Sequence, residues 1–203
     1  MFTRQGLLLS WRETRPYFIF AVILFFAGMV IGGTPNAPTE YLESQLQGIA
    51  TLSNSIKNSD TPEIMAFLLI TANNIFASLM AMGMGIIAGI MPIYTLVANG
   101  MVLGYLLSEF SESGENMFML IVKGLLPHGI LELPAVFLAC AFGIRFGMTL
   151  IRGVFGSAFG KKEPWQPFVR TATGALPAII VVVVLLLLGA VVESTVTFWL
   201  MKP

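Results

Sequence analysis

Between residues 64 and 108 the chain carries no Asp, Glu, Lys, Arg or His. Eighteen or more such residues already argue for a membrane-spanning helix, so this run of 45 predicts two. Span one is predicted at about 16–33. Thr61-Pro62-Glu63 reads as a helix start, with Thr as N-cap and Pro in the first helical position. Span two then runs through 63–90, where Gly89 and Pro92 punctuate a tight turn, and span three covers 93–108. A last span occupies 170–197.

The apolar stretch 116–152 is too long for one straight crossing. It would reach roughly 55 Å at 1.5 Å per residue, against a hydrocarbon core of about 30 Å. Pro127, Gly129 and Pro134 offer a helix break inside it. The expectation is a re-entrant or interfacial helix at 116–126 followed by a crossing at 128–150. Between spans one and two, Leu42, Leu46, Ile49 and Ile56 recur at helical spacing among Glu40, Glu43, Gln45 and Gln47. That pattern predicts an amphipathic helix at 38–60, on the outer surface or capping the bundle. The fold class is therefore all-α: one transmembrane domain over 1–203, an integral membrane helical bundle with about five spans, one broken or re-entrant segment and an exterior amphipathic helix.

Composition agrees, at 56% hydrophobic and 11% charged residues, where a soluble domain carries about 25% charged. The formal net charge of zero implies no nucleic acid or other acidic polymer as partner. The lipid bilayer is the environment. Arg4, Arg12 and Arg15 precede span one, which is too long and too far along the chain for a signal peptide and reads as a retained anchor. With five crossings, eight of the eleven positive charges fall on one side, which the positive-inside rule assigns to the cytoplasm. A multi-pass cell-membrane protein is expected, with its N-terminus cytoplasmic and its C-terminus exterior. Arg145, near the inner end of its span, is expected to snorkel to the headgroups.

Small residues recur four apart at Gly28/Gly32, Gly85/Gly89, Gly100/Gly104 and Gly143/Gly147. In lipid, close backbone approach through glycine supplies packing that hydrophobicity cannot. Such faces pack helices within a bundle, and a homodimer built on them is a second expectation.

Polar groups at membrane depth need partners. Asn73 and Asn74 in span two, Asn99 in span three, His128 and Glu132 beside the prolines, and Glu193 near the last span's end are the candidates. They are expected to form one buried polar cluster. The bland alternative for the asparagines is interhelical hydrogen bonding alone.

The string Leu126-Pro127-His128-Gly129-x-x-Glu132-x-Pro134-Ala135 resembles the signature of the stage II sporulation protein M family. Asn73-Asn74, Asn99-Gly100 followed by Gly104, and Glu193 match in order, so that the resemblance covers about 61–200. It implies a polytopic α-helical membrane protein without established enzymatic activity. A sporulation member of that family works with peptidoglycan-degrading partners during engulfment of the forespore, which implies membrane or cell-envelope protein partners.

Catalysis has little support in the residues. A His-Glu-x-x-His zinc helix needs two histidines, and this chain has one. Cys140, a lone cysteine, reads as a small buried residue, so neither a metal nor another cofactor is expected. Neither a Gly-x-Ser-x-Gly element nor a phosphate loop is present. Two functions remain: a membrane scaffold or accessory subunit, which the resemblance favours, and a small transporter or channel with a polar site around His128 and Glu132.

Overall fold

The computed structural model describes residues 3–113, 119, 121–122, 126–193 and 195, leaving aside the side chains of Glu63, Pro127 and His128. Among the described residues there are six long helices and no strand: α1 (Arg4–Gly32), α2 (Thr39–Lys57), α3 (Pro62–Met84), α4 (Ile90–Glu112), α5 (Leu126–Ala158) and α6 (Gln166–Val192). All but α2 are long and apolar enough to cross a membrane, making this a multi-pass membrane protein.

Local signals account for the helix ends. Thr3 caps α1 by accepting a hydrogen bond from the Gly6 amide at 3.2 Å. Thr61 and Pro62 start α3 as expected, although the threonine side chain makes no capping bond. The turn from α3 to α4 places Ala88 at φ 52° and Gly89 at φ 74°. Only glycine adopts that left-handed region without steric cost. Pro92 lies in the first turn of α4, where its missing N–H leaves no bond unmade.

The expected break at Pro127, Gly129 and Pro134 is absent, because α5 is continuous through all three. Pro127 falls in the first turn, where a helix has no amide bond to lose. Pro134 lies inside the helix and forfeits one bond to the carbonyl four residues back. Dense packing around α5 holds the helix despite that loss: Ala135, Phe137 and every residue from Ala139 to Arg145 are buried. Most of the expected re-entrant segment 116–126 lies outside the described residues.

Helix α5 is the axis of the bundle, with α1, α3, α4 and α6 packed around it. Its faces build two apolar clusters, one with α6 around Phe142, Val182 and Leu186, and one with α1 and α4 around Phe25, Leu96 and Phe137. Cys140 is buried in the second.

The four glycine pairs close two crossings. Gly28 and Gly32 of α1 face Gly100 and Gly104 of α4. A Cβ on Gly28 would come within 2.5 Å of the Val97 carbonyl oxygen, and one on Gly32, Gly100 or Gly104 would collide with a backbone carbonyl of the facing helix. Gly85 and Gly89 meet Gly143 and Gly147 of α5 in the same way. These small-residue faces are thus filled within one copy of the chain.

The amphipathic helix α2 leans on α4. Leu42 is fully buried, and the Tyr41 and Tyr94 hydroxyls lie 2.9 Å apart. Tyr94 sits in the first half of α4, while Glu43, two residues after Tyr41, lies within electrostatic reach of Tyr105 in its second half, so the start of α2 lies alongside α4. Burial, then the bond to Tyr94, push the Tyr41 pKa from its ordinary 10.0 up to about 12. The neutral hydroxyl favours docking; its contribution is full below pH 10 and is lost as pH rises towards 12.

Gly32→Ala and Gly104→Ala should each lower stability by about 1–3 kcal/mol through forced separation of α1 and α4. Gly83→Ala, which meets nothing within 4 Å, should be neutral or stabilising by up to about 1 kcal/mol. Thermal unfolding in detergent measures all three; equal effects would show that the glycines do not set the crossing.

Candidate functional site

A cavity of about 200 Å³ lies between α3 and α4. Asn73, Asn74, Ala77, Ser78 and Ala81 of α3 form one wall and Thr95 and Asn99 of α4 the other. Glu132, Leu133 and Val136 of α5 close the floor together with Phe25 of α1. The small residues of α3 leave the room, and α3 and α4 make sparse contact with each other. Asn73, Ala77 and Asn99 are exposed, so the cavity opens at the surface of the bundle as a polar groove.

Glu132 is the ionisable group of this site. Its Oε2 accepts a hydrogen bond from Asn74 Nδ2 at 3.0 Å. Its Oε1 is buried without a hydrogen-bond partner among the described residues, as is the Ser78 hydroxyl. The carboxylate stem packs over Gly189 of α6, where an added Cβ would come within 2.6 Å of Glu132 Cγ. Glu193, at the end of α6, lies within electrostatic reach of Glu132. Asn99 donates to the Thr95 carbonyl of its own helix at 2.7 Å.

The structure thus brings Asn73, Asn74, Asn99 and Glu132 to one cavity. Glu193 faces Glu132 from α6 but is not among the residues lining the groove. His128 is in the first turn of α5, one helical turn before Glu132, and its side chain lies outside the described residues. The groove can offer amide donors and acceptors and one carboxylate to an occupant.

A second polar centre lies where α1, α5 and α6 meet, some three to four turns along α5 from Glu132. Arg145 does not snorkel: it is 3% exposed and bound to Glu13 of α1. It also donates to Thr14 Oγ1 at 2.8 Å and to the Ser10 carbonyl at 3.4 Å. Arg170 Nε reaches the other Glu13 oxygen at 3.2 Å. A guanidinium inside the bundle needs such a carboxylate, since its desolvation otherwise costs several kcal/mol. Charge counting along the sequence registers Glu13 only as an acid among arginines. What could have flagged it is that Glu13 and Thr14 adjoin span one, on the helix that a buried Arg145 would meet.

Glu13→Gln strands Arg145 and should cost on the order of 3 kcal/mol, read as a lower unfolding temperature. Arg12→Gln, an exposed neighbour, should change stability by less than about 0.5 kcal/mol.

The comparisons with known proteins agree with the resemblance. The model of the family described as stage II sporulation protein M matches residues 17–198. An uncharacterized protein of Methanocaldococcus jannaschii is 30% identical over 116 residues, covering 57% of this chain. The match covers 50% of that relative, so the chain spans about half the length of the curated relative it matches. No solved structure matches the chain. With the family model covering nearly the whole chain, from the middle of α1 past the end of α6, the protein belongs to the stage II sporulation protein M family.

Proposed function

We propose that the protein is a membrane scaffold or accessory subunit, not an enzyme, and that the groove between α3 and α4 receives a transmembrane helix of a membrane or cell-envelope protein. The supporting observation is the pair of exposed asparagines, Asn73 and Asn99, facing one another across an open cavity within two spanning helices. Hydrocarbon cannot satisfy amides, and each one left in it costs several kcal/mol. Asn99 commits one N–H to the Thr95 carbonyl of its own helix. A helix with small and polar residues on one face would satisfy what the two amides leave open and reach Glu132 beneath. The family's name points to sporulation as one setting for such a partner.

One observation favours a second function, a small transporter or channel. Glu132 Oε1 lacks a hydrogen-bond partner among the described residues, and a buried carboxylate beside amides could bind a proton or small cation in transit. A photo-crosslinking residue at Asn99 separates the two. The scaffold function expects capture of one membrane protein in native membranes, with none from Phe76, which is 67% exposed on the same hairpin. Asn73→Leu with Asn99→Leu should abolish capture while changing the stability of the isolated protein by less than about 1 kcal/mol. Crosslinks to lipid alone, together with ion flux in proteoliposomes that Glu132→Gln abolishes, would establish transport instead.

The charge distribution supports an orientation with the amino terminus and the α5–α6 connection in the cytoplasm, and the carboxyl terminus outside. Lys161 and Lys162 in the connection, with Arg12 and Arg15 in α1, carry the bias. Single cysteines in a Cys140→Ala background should label from the cytoplasmic side at residues 159–163 and from the exterior at 201–203. Labelling of both sites from one side would overturn five crossings.

A further inference from the structure

We infer that the protein holds an anionic phospholipid, its phosphoryl headgroup among the arginines where α1, α5 and α6 meet and an acyl chain in the crevice between α1 and α6. A cavity of about 480 Å³ lies at this junction, within the range of small-molecule sites. Arg145, Arg152, Arg170 and Glu13 line it, for a net charge of +2 from three cations and one anion. Glu13 is committed to Arg145 and Arg170, whereas Arg152 has no ion-pair partner among the described residues. Arg145, Thr149 and Arg152 recur at positions i, i+4 and i+7 of α5 and so present one face to the cavity. Arginine forks bind phosphoryl oxygens through paired N–H donors.

Two further depressions turn this cationic cavity into an amphiphilic site. A small one of about 120 Å³ shares Glu13 and Arg170 with it and extends to Ser10, Gly174 and Pro177. Those last three residues also line an apolar crevice of about 260 Å³, walled by Trp11 of α1, Leu138 and Phe142 of α5 and Val181 of α6. The arginine cavity and the apolar crevice therefore adjoin one another along the seam of α1 and α6 through shared wall residues. A free phosphate would need only the first cavity, whereas a lipid uses both ends. Basic pockets between spanning helices recognise anionic headgroups in this way. Phosphatidylcholine, whose ammonium cancels its phosphate, is expected to bind weakly.

Native mass spectrometry of the full chain in mild detergent tests this, with phosphatidylglycerol, phosphatidylcholine and inorganic phosphate as probes. Retention of phosphatidylglycerol in clear preference to phosphatidylcholine is expected, and Arg152→Gln with Arg170→Gln should weaken it about tenfold or more. Arg15→Gln removes an exposed arginine that is not among the residues lining the cavity and should leave retention unchanged. Equal retention of the two lipids, or equal loss in Arg15→Gln and the double variant, would overturn the site. Displacement of phosphatidylglycerol by inorganic phosphate at similar concentration would also overturn it, by showing an anion site with no use for the acyl chain. Thermal unfolding of each variant without lipid confirms that the fold is intact.

Discussion

Backbone-to-backbone contact through glycine is the constraint on which this bundle depends. Helices in lipid gain little from hydrophobic burial against one another, so they associate where their surfaces approach closely enough for dispersion and weak polar contacts. Gly28, Gly32, Gly100 and Gly104 bring α1 and α4 together, and Gly85, Gly89, Gly143 and Gly147 lock the α3–α4 turn onto α5. These crossings have a consequence for the hairpin. Its second helix is drawn to α1 and its turn to α5, leaving α3 and α4 in sparse contact beyond the turn. The polar groove occupies the gap so created.

The two polar centres meet opposite ends of the same difficulty. Arg145 is closely bound: one carboxylate, one hydroxyl and one backbone carbonyl converge on its guanidinium. A group bound in this way fixes the register of α1 against α5, and its neighbours have little freedom to rearrange. Glu132 is only partly bound, with one oxygen on Asn74 and the other buried without a hydrogen-bond partner among the described residues. Incompletely satisfied polar groups are costly in a low-dielectric interior. That asymmetry leaves Glu132 with an acceptor still to be satisfied among the described residues, whereas Arg145 already has its carboxylate, hydroxyl and carbonyl.

Much of the architecture was legible because lipid leaves few alternatives. The uncharged run 64–108 admitted only a pair of spans, and Thr61-Pro62 and Gly89 marked its punctuation within a few residues. The polar residues of α3 and α4 were legible as a group, since Asn73, Asn74 and Asn99 have few reasons to sit in apolar helices. What failed was local inference that ignored packing. Pro127, Gly129 and Pro134 read as a break on propensity, yet α5 runs through them, with Pro127 in its first turn and Pro134 forfeiting one bond at the edge of the densely packed stretch 135–145. Arg145 read as a snorkelling cation because its partner Glu13 is 132 residues away, a separation that no local pattern reports.

The continuity of α5 also changes how the His128–Glu132 signature acts. In a broken segment the two residues would serve loose backbone, and their spacing would be a matter of loop geometry. In a continuous helix, four residues is one turn, so both positions lie on the same face of α5. Glu132 on that face already meets Asn74 of α3 and Gly189 of α6. A rigid axis carrying the acid into a groove that two other helices leave open is a better platform for recognition than a flexible hinge. Its geometry is set before any occupant arrives, so less ordering has to be done at the moment of binding.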